Sequence, residues 1–260
     1  MKNNKSLGQH WLKDRAILDE IAELALGNAT SGSLDTPESR LCLEIGPGLG
    51  TLTSSLLRVF PRVLSVEFDE NLAKNLPNSF PGKNLTVINQ DFLQFDLSSV
   101  EKPYVVAGNI PYYITSPIIM KLLETENKPD NIVLLIQKEV AERIAAETGR
   151  HTFLSLSVQN LAKVELGPLV PKDYFTPPPK VDSQIIILHP RKTPVISKEA
   201  LNLAKKAFSA PRKKLIKNLS SFYSVNDLKE AMARVGLDPN SRPSDSALET
   251  WQKLYEILQK

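Results

Sequence analysis

The sequence predicts an α/β protein: a mostly parallel sheet covered by helices, an antiparallel final strand, and a small all-helical module behind it. Three observations predict this. Short apolar runs alternate with amphipathic helical patterns through the first half of the chain, as in a parallel sheet covered on both faces. The first of these runs, LCLEI, stops in a glycine turn, GPGLG. The charge balance then changes sign: residues 1–190 carry 18 Lys/Arg against 22 Asp/Glu, and residues 191–260 carry 14 against 7. Two domains are therefore expected, 1–190 holding the sheet and 191–260 helical and basic. A basic module of this kind points to nucleic acid.

Taken in order, residues 1–13 are basic, then glycine-containing, then amphipathic. Ile17, Leu18, Ile21, Leu24 and Ala25 recur at helical spacing, which predicts a helix over 14–26. Gly, Asn, Ser and Pro over 27–39 predict a loop. Strands are expected at 41–45, 62–67, 85–89, 104–108 and 131–137. Helices are expected at 49–59, from about 69, after Thr115, and over 138–146. A further helix is read over 153–162. Strands at 164–169 and 183–188, joined by FTPPPKVDS, are expected to close the sheet as an antiparallel hairpin. After Pro190 the strands stop, and four helices are read over 197–208, 213–220, 226–235 and 246–259.

No apolar run reaches the roughly 18 residues of a membrane span, and no apolar segment follows the N-terminal lysines. The single cysteine, Cys42, lies in the first strand and reads as a small buried hydrophobe. His10, His151 and His189 show no ligand spacing, so no metal is expected. A monomer in a reducing cytoplasm is the expectation.

Ligands of an open parallel sheet sit at the carboxyl ends of its strands. Polar or glycine-rich groups fall at four such ends: Gly46 to Gly50, Glu67, Asp91 and Asn109. Glu67, 21 residues after Gly46, stands where a carboxylate accepts from ribose hydroxyls. The glycines, Gly46 and Gly48 first, are spaced G-x-G-x-G, and no basic residue in the turn awaits a pyrophosphate. A nucleoside-type cofactor without phosphates fits better than a dinucleotide. The sharper motif is Asn109-Ile110-Pro111-Tyr112, followed by Tyr113. Pro111 holds Ile110 extended. Such a turn offers an amide side chain, backbone carbonyls and an aromatic ring to one pocket, a set suited to an exocyclic amine on a flat base.

With these motifs the chain resembles the ribosomal RNA adenine dimethyltransferases that modify small-subunit RNA. KSLGQHWL, LEIGPGLGTLT, VEFDENL, INQDFL, GNIPYYITSPII, FTPPPKVDS and AFSAPRKKLIKNL are similar to that family's motifs and fall in its order, nearly end to end. Trp11 stands where the family usually has phenylalanine. The resemblance implies a Rossmann-like class I methyltransferase fold, with S-adenosylmethionine as methyl donor. It further implies N6,N6-dimethylation of two adjacent adenosines in a hairpin loop near the 3′ end of small-subunit rRNA, within a pre-ribosomal particle. Carried onto this chain, His10 and Leu12 border the cofactor, Gly46 and Gly48 approach its methionine end, Glu67 binds the ribose, and Asp91 with Phe92 binds the adenine. Asn109, Ile110, Pro111 and Tyr112 form the catalytic turn. Tyr112, Tyr113 and Phe175 meet the target base, with Tyr112 and Phe175 sandwiching it. Arg212, Lys213, Lys214 and Lys217 meet RNA phosphates. Two other readings remain open at this point: a large-subunit adenine methyltransferase conferring macrolide resistance, and a non-catalytic RNA-binding assembly factor. A nicotinamide dehydrogenase fits poorly, because the glycine spacing is wrong and NIPY has no role in it.

Overall fold

The computed structural model describes residues 10–27 and 40–259. The expected N-terminal element over 1–9 and the loop over 28–39 lie outside the described residues. The chain forms two compact units: residues 1–141 with 165–190, and residues 142–164 with 191–260.

In the first unit, β1 (Trp11–Leu12) precedes α1 (Arg15–Leu26), whose N-cap Asp14 accepts from the Ile17 N–H. Then come β2 (Leu41–Ile45), α2 (Thr51–Val59), β3 (Arg62–Glu67), α3 (Glu70–Asn75) and β4 (Leu85–Asn89). These are followed by β5 (Tyr104–Asn109), α4 (Thr115–Glu124) and β6 (Ile132–Gln137). The chain passes through α5 (Lys138–Ile144) and α6 (Phe153–Leu161) and returns along β7 (Ala162–Val170), β8 (Phe175–Thr176) and β9 (Ser183–Pro190). The seven-stranded sheet has the order β4-β3-β2-β5-β6-β9-β7. The pairs β2–β3, β2–β5, β3–β4 and β5–β6 are parallel, and β9 runs antiparallel to β6. From β2 the chain steps outward to β4, then returns to β5 on the other side of β2. That reversal opens a crevice at the carboxyl ends of β2 and β5. Leu18, Ile21 and Ala22 of α1 and Leu52 and Leu56 of α2 share a core with Cys42, Val63, Val105 and Val133 of the strands. Cys42 is a buried free thiol.

α2 starts at Thr51 rather than Leu49. Gly50 sits in the left-handed region (φ 81°, ψ 18°), so a right-handed helix begins only after it. A Cβ at Gly50 would stand 2.6 Å from Leu76 Cδ1 and 2.9 Å from Phe80 Cε2. The left-handed backbone alone costs an L-residue about 1–2 kcal/mol. Gly50→Ala is therefore expected to destabilise the fold by about 2 kcal/mol, read as a lower urea midpoint. An unchanged midpoint would refute this.

The second unit contains α6 together with α7 (Lys198–Ala207), α8 (Leu215–Leu219), α9 (Val225–Arg234) and α10 (Leu248–Leu258). Its boundary differs from the expected cut at residue 190, because 142–164 packs with 191–260. The reason is apolar burial. Leu156 of α6 is buried in one cluster with Ile196, Leu203, Leu215, Leu228 and Trp251. The Asn160 side-chain carbonyl also accepts from the Ile196 N–H at 2.8 Å.

Candidate active site

The crevice is a cavity of about 250 Å³. It is lined by the ends of β2, β3 and β5, by the segment Gln90–Leu93 after β4, and by His10–Leu12. Of the expected cofactor residues, His10, Leu12, Gly46, Gly48, Glu67, Asp91, Phe92 and Asn109 all line it, as do Ile110, Pro111, Tyr112 and Tyr113. Parallel register brings them together. Glu44 pairs with Ala107 and Ile45 with Gly108, so the glycine turn and the Asn109 turn leave the sheet side by side.

The glycine turn is shaped by close approach. Gly46 has φ 63°, and a Cβ there would meet nothing within 4 Å. Gly48 has φ 57°, and its Cβ would press on the Trp11 indole nitrogen at 3.1 Å. The Gly48 N–H donates to Glu67 Oε2 at 3.0 Å, and the Asp69 N–H donates to Glu67 Oε1 at 2.8 Å. A carboxylate oxygen carries two lone-pair directions, so each oxygen keeps acceptor capacity. Burial pushes the Glu67 carboxyl above its usual range, and the two backbone N–H groups oppose that shift. Asp91 Oδ1 accepts from the Leu93 N–H at 2.9 Å, leaving Oδ2 as its outward acceptor. Phe92 is 5% exposed and stacks on Phe95.

The Asn109 Nδ2 donates to the His10 carbonyl at 3.0 Å. That bond orients the amide and leaves Oδ1 as the acceptor it can present. The Pro111 carbonyl already accepts from the Ile114 N–H at 3.3 Å. The Tyr112 hydroxyl shares a hydrogen bond with Ser183 Oγ at 2.9 Å, and the ring stacks on His10 with centroids 6.1 Å apart and planes 23° apart. Burial pushes the Tyr112 phenol up, so this residue offers a ring face rather than a base.

One expected residue is corrected. Phe175 does not line the cavity; it is 3% exposed and sits in the sheet's core. The short antiparallel pair of β8 and β1 sets Phe175 opposite Leu12, and both side chains are buried in that core. The ring that faces Tyr112 is His10. Arg212, Lys213, Lys214 and Lys217 lie in the second unit and are exposed.

Sequence reasoning missed four residues here. Trp11 lines the cavity and packs at Gly48. Phe68, 62% exposed, lines it beside Glu67, and its place next to a strand-end carboxylate was a legible signal. Ser183 was inside a quoted motif, but only folding reveals that it meets Tyr112. Glu44 was visible as a lone carboxylate in an apolar strand. It is fully buried, and its Oε2 accepts from Thr53 Oγ1 (2.8 Å) and Ser65 Oγ (2.7 Å), while Oε1 has no partner. Burial pushes its carboxyl up to about 7.

The lining suits a phosphate-free nucleoside cofactor with a positive centre. Two carboxylates face it, and among its described lining residues there is no lysine or arginine. The described residues hold no cluster of three or more His, Cys, Asp or Glu that could take a metal ion. They also contain no helix long and apolar enough to cross a membrane.

Residues 1–260 match the family model described as ribosomal RNA adenine dimethylase. The chain is 40% identical to the ribosomal RNA small subunit methyltransferase A of Nostoc sp., over 99% of this chain and 98% of that protein. It is 37% identical to the protein of the same name from Enterococcus faecalis, over 98% and 90%. Among solved structures it resembles the 23S rRNA methyltransferase ErmE (TM-score 0.77, 29% identity, covering 96% of this chain and all of that one). It also resembles a dimethyladenosine transferase from Plasmodium falciparum (TM-score 0.74, 27% identity, covering 94% and 95%). Its fold is accordingly that of the class I methyltransferases, and the chain belongs to the ribosomal RNA adenine dimethylase family.

Proposed function

We propose that the protein is an S-adenosylmethionine-dependent methyltransferase that dimethylates N6 of two adjacent adenosines in small-subunit rRNA. It does so as a monomer, on a maturing ribosomal particle in the cytoplasm. The observation that carries this reading is the Asn109 amide, oriented by the His10 carbonyl at the edge of a cavity whose described lining residues include two carboxylates and no lysine or arginine. When bound, S-adenosylmethionine supplies an electrophilic methyl carbon on a sulfonium. Glu67 would hold its ribose hydroxyls and Asp91 its adenine, with Gly46 leaving room for the methionine portion.

The chain's own task is alignment. The N6 lone pair of adenine is delocalised into the ring and is a poor nucleophile. Asn109 Oδ1 and the Ile110 carbonyl would accept the two N6–H bonds and favour the pyramidal amine; the Pro111 carbonyl is the more committed acceptor. The amine so held would take the methyl carbon that the sulfonium supplies, the sulfur leaving as the thioether, and its proton would become acidic only once nitrogen is alkylated. No strong base is needed beforehand. Tyr112, held through Ser183, would stack on the extruded base and offset part of the few kcal/mol that extrusion costs.

The direct test supplies labelled donor with small ribosomal subunits lacking the modification and, in parallel, with large-subunit rRNA, then maps the label. Label on small-subunit adenine N6 supports the reading. Label confined to large-subunit rRNA favours the reading suggested by the ErmE likeness, and donor binding without transfer favours an assembly factor.

The basic surface gives a separate prediction. Truncation after Pro190 would uncover Leu156, so surface substitution is the cleaner probe. Replacing Arg212, Lys213, Lys214 and Lys217 together by Gln is expected to weaken RNA binding by at least tenfold near physiological salt and to flatten its salt dependence. Donor affinity should hold. Unchanged RNA affinity would remove these four residues from the RNA surface.

A further inference from the structure

The second unit exposes a large aromatic ring where none is needed for its core. Phe222 follows α8 in a fixed turn: its N–H donates to the Leu219 carbonyl at 2.9 Å, as does that of Tyr223 at 3.2 Å. The ring is nonetheless 52% exposed. The Lys206 Nζ sits 4.4 Å from the ring centroid. Along the chain, residues 205–222 carry six cations, Lys205, Lys206, Arg212, Lys213, Lys214 and Lys217, and not one Asp or Glu. All six are exposed. The block is rigid at its centre. The buried Asn218 amide donates to the carbonyls of Ala207 (2.6 Å) and Ala210 (2.9 Å), tying the end of α7 and the following loop to α8.

A cation–π contact at an exposed site is weak, so it does not by itself account for leaving the ring in water. An exposed aromatic face with a cation against it, on a stretch of chain that carries six cations and no carboxylate, is a combination that binds single-stranded nucleic acid. The cations track phosphates, and the ring accepts a base of any identity. An acidic peptide would use the charges but leave the ring idle. A membrane surface calls for several apolar side chains around the ring rather than six cations.

We propose that Phe222 is a base-stacking site, taking an unpaired base of the RNA strand whose phosphates lie along these cations. This rests on the reading that the substrate is ribosomal RNA, and deepens it: the second unit would recognise an unstacked nucleotide, not only a line of phosphates. Stacking and charge are separable because only charge carries the salt dependence.

Binding to small ribosomal subunits lacking the dimethylation is measured across a salt series for the full chain and for Phe222→Leu, Phe222→Trp and Lys213→Gln. Thermal unfolding and donor binding check that each variant is folded. Phe222→Leu is expected to weaken binding about tenfold at every salt concentration with the slope unchanged, the loss of one stacked base. Phe222→Trp should keep the affinity, and its added fluorescence should be quenched by RNA. Lys213→Gln should lower the slope. Wild-type affinity in Phe222→Leu, or no change in the added tryptophan's emission, overturns the stacking site while leaving the RNA reading intact. Failure of the unaltered protein to bind the subunits overturns both.

Discussion

Asn109→Ala is expected to lower methyl-transfer turnover by about a hundredfold or more while shifting donor affinity only a few-fold. The amide is held from one side by the His10 carbonyl at 3.0 Å, so its Oδ1 is already oriented before substrate arrives. A misplacement of the reacting groups by about 1 Å can cost two orders of magnitude. On the proposed reading donor affinity would be spread over Glu67, Asp91 and the glycine turn, and the internal hydrogen bonds that hold these do not involve Asn109. Asn109→Asp is expected to fail as badly, since it sets a carboxylate oxygen against the His10 carbonyl in place of the N–H donor. Single-turnover kinetics beside titration with donor separate the two effects. Full dimethylation at the normal rate by Asn109→Ala would sink the proposed role.

Glu44→Gln should change the pH dependence of stability rather than the fold. Glu44 is fully buried, with both hydroxyl donors on one oxygen and none on the other, and burial pushes its carboxyl up to about 7 from an ordinary 4.5. A folded value above the unfolded one means that the folded state holds the proton more tightly. The contribution is therefore complete below about 4.5 and is lost as pH rises toward about 7, after which it is flat. The shift corresponds to about 3 kcal/mol as an order of magnitude. Gln keeps an acceptor for Thr53 and Ser65 without the charge. Relative to the unaltered protein, Glu44→Gln should thus gain stability between pH 5 and pH 8 by up to about 3 kcal/mol, measured by urea unfolding at each pH. Parallel curves across that range would show that Glu44 ionises normally.

The local signals in this chain were strong. Five parallel strands were legible because each is an apolar run of five or six residues ending at a glycine or polar group, and their carboxyl ends named Gly46, Glu67, Asp91 and Asn109 in advance. The start of α2 was misread by two residues, because Leu49 fits the helical stripe while Gly50 takes a left-handed backbone that the stripe does not reveal. The boundary at residue 190 followed the change in charge, but the units are divided by apolar burial. Leu156 belongs to the later core although it is distant in sequence.

Phe175 shows the other limit. An aromatic residue at the head of a proline-rich motif reads equally well as a stacking face or as core, and the pairing of β8 with β1 put it in the core. By itself the sequence determined the order of strands and helices, the glycine and NIPY turns at strand ends, the one-sided charge and the family, all of which rest on neighbours within a few residues or on motif order. Only the tertiary structure decided that His10 faces Tyr112, that the His10 carbonyl orients Asn109, that Ser183 holds Tyr112, and that Glu44 is left with an unpaired oxygen. Each of these joins groups brought together by sheet register or core packing, forces that act between residues whose separation along the chain carries no local signal.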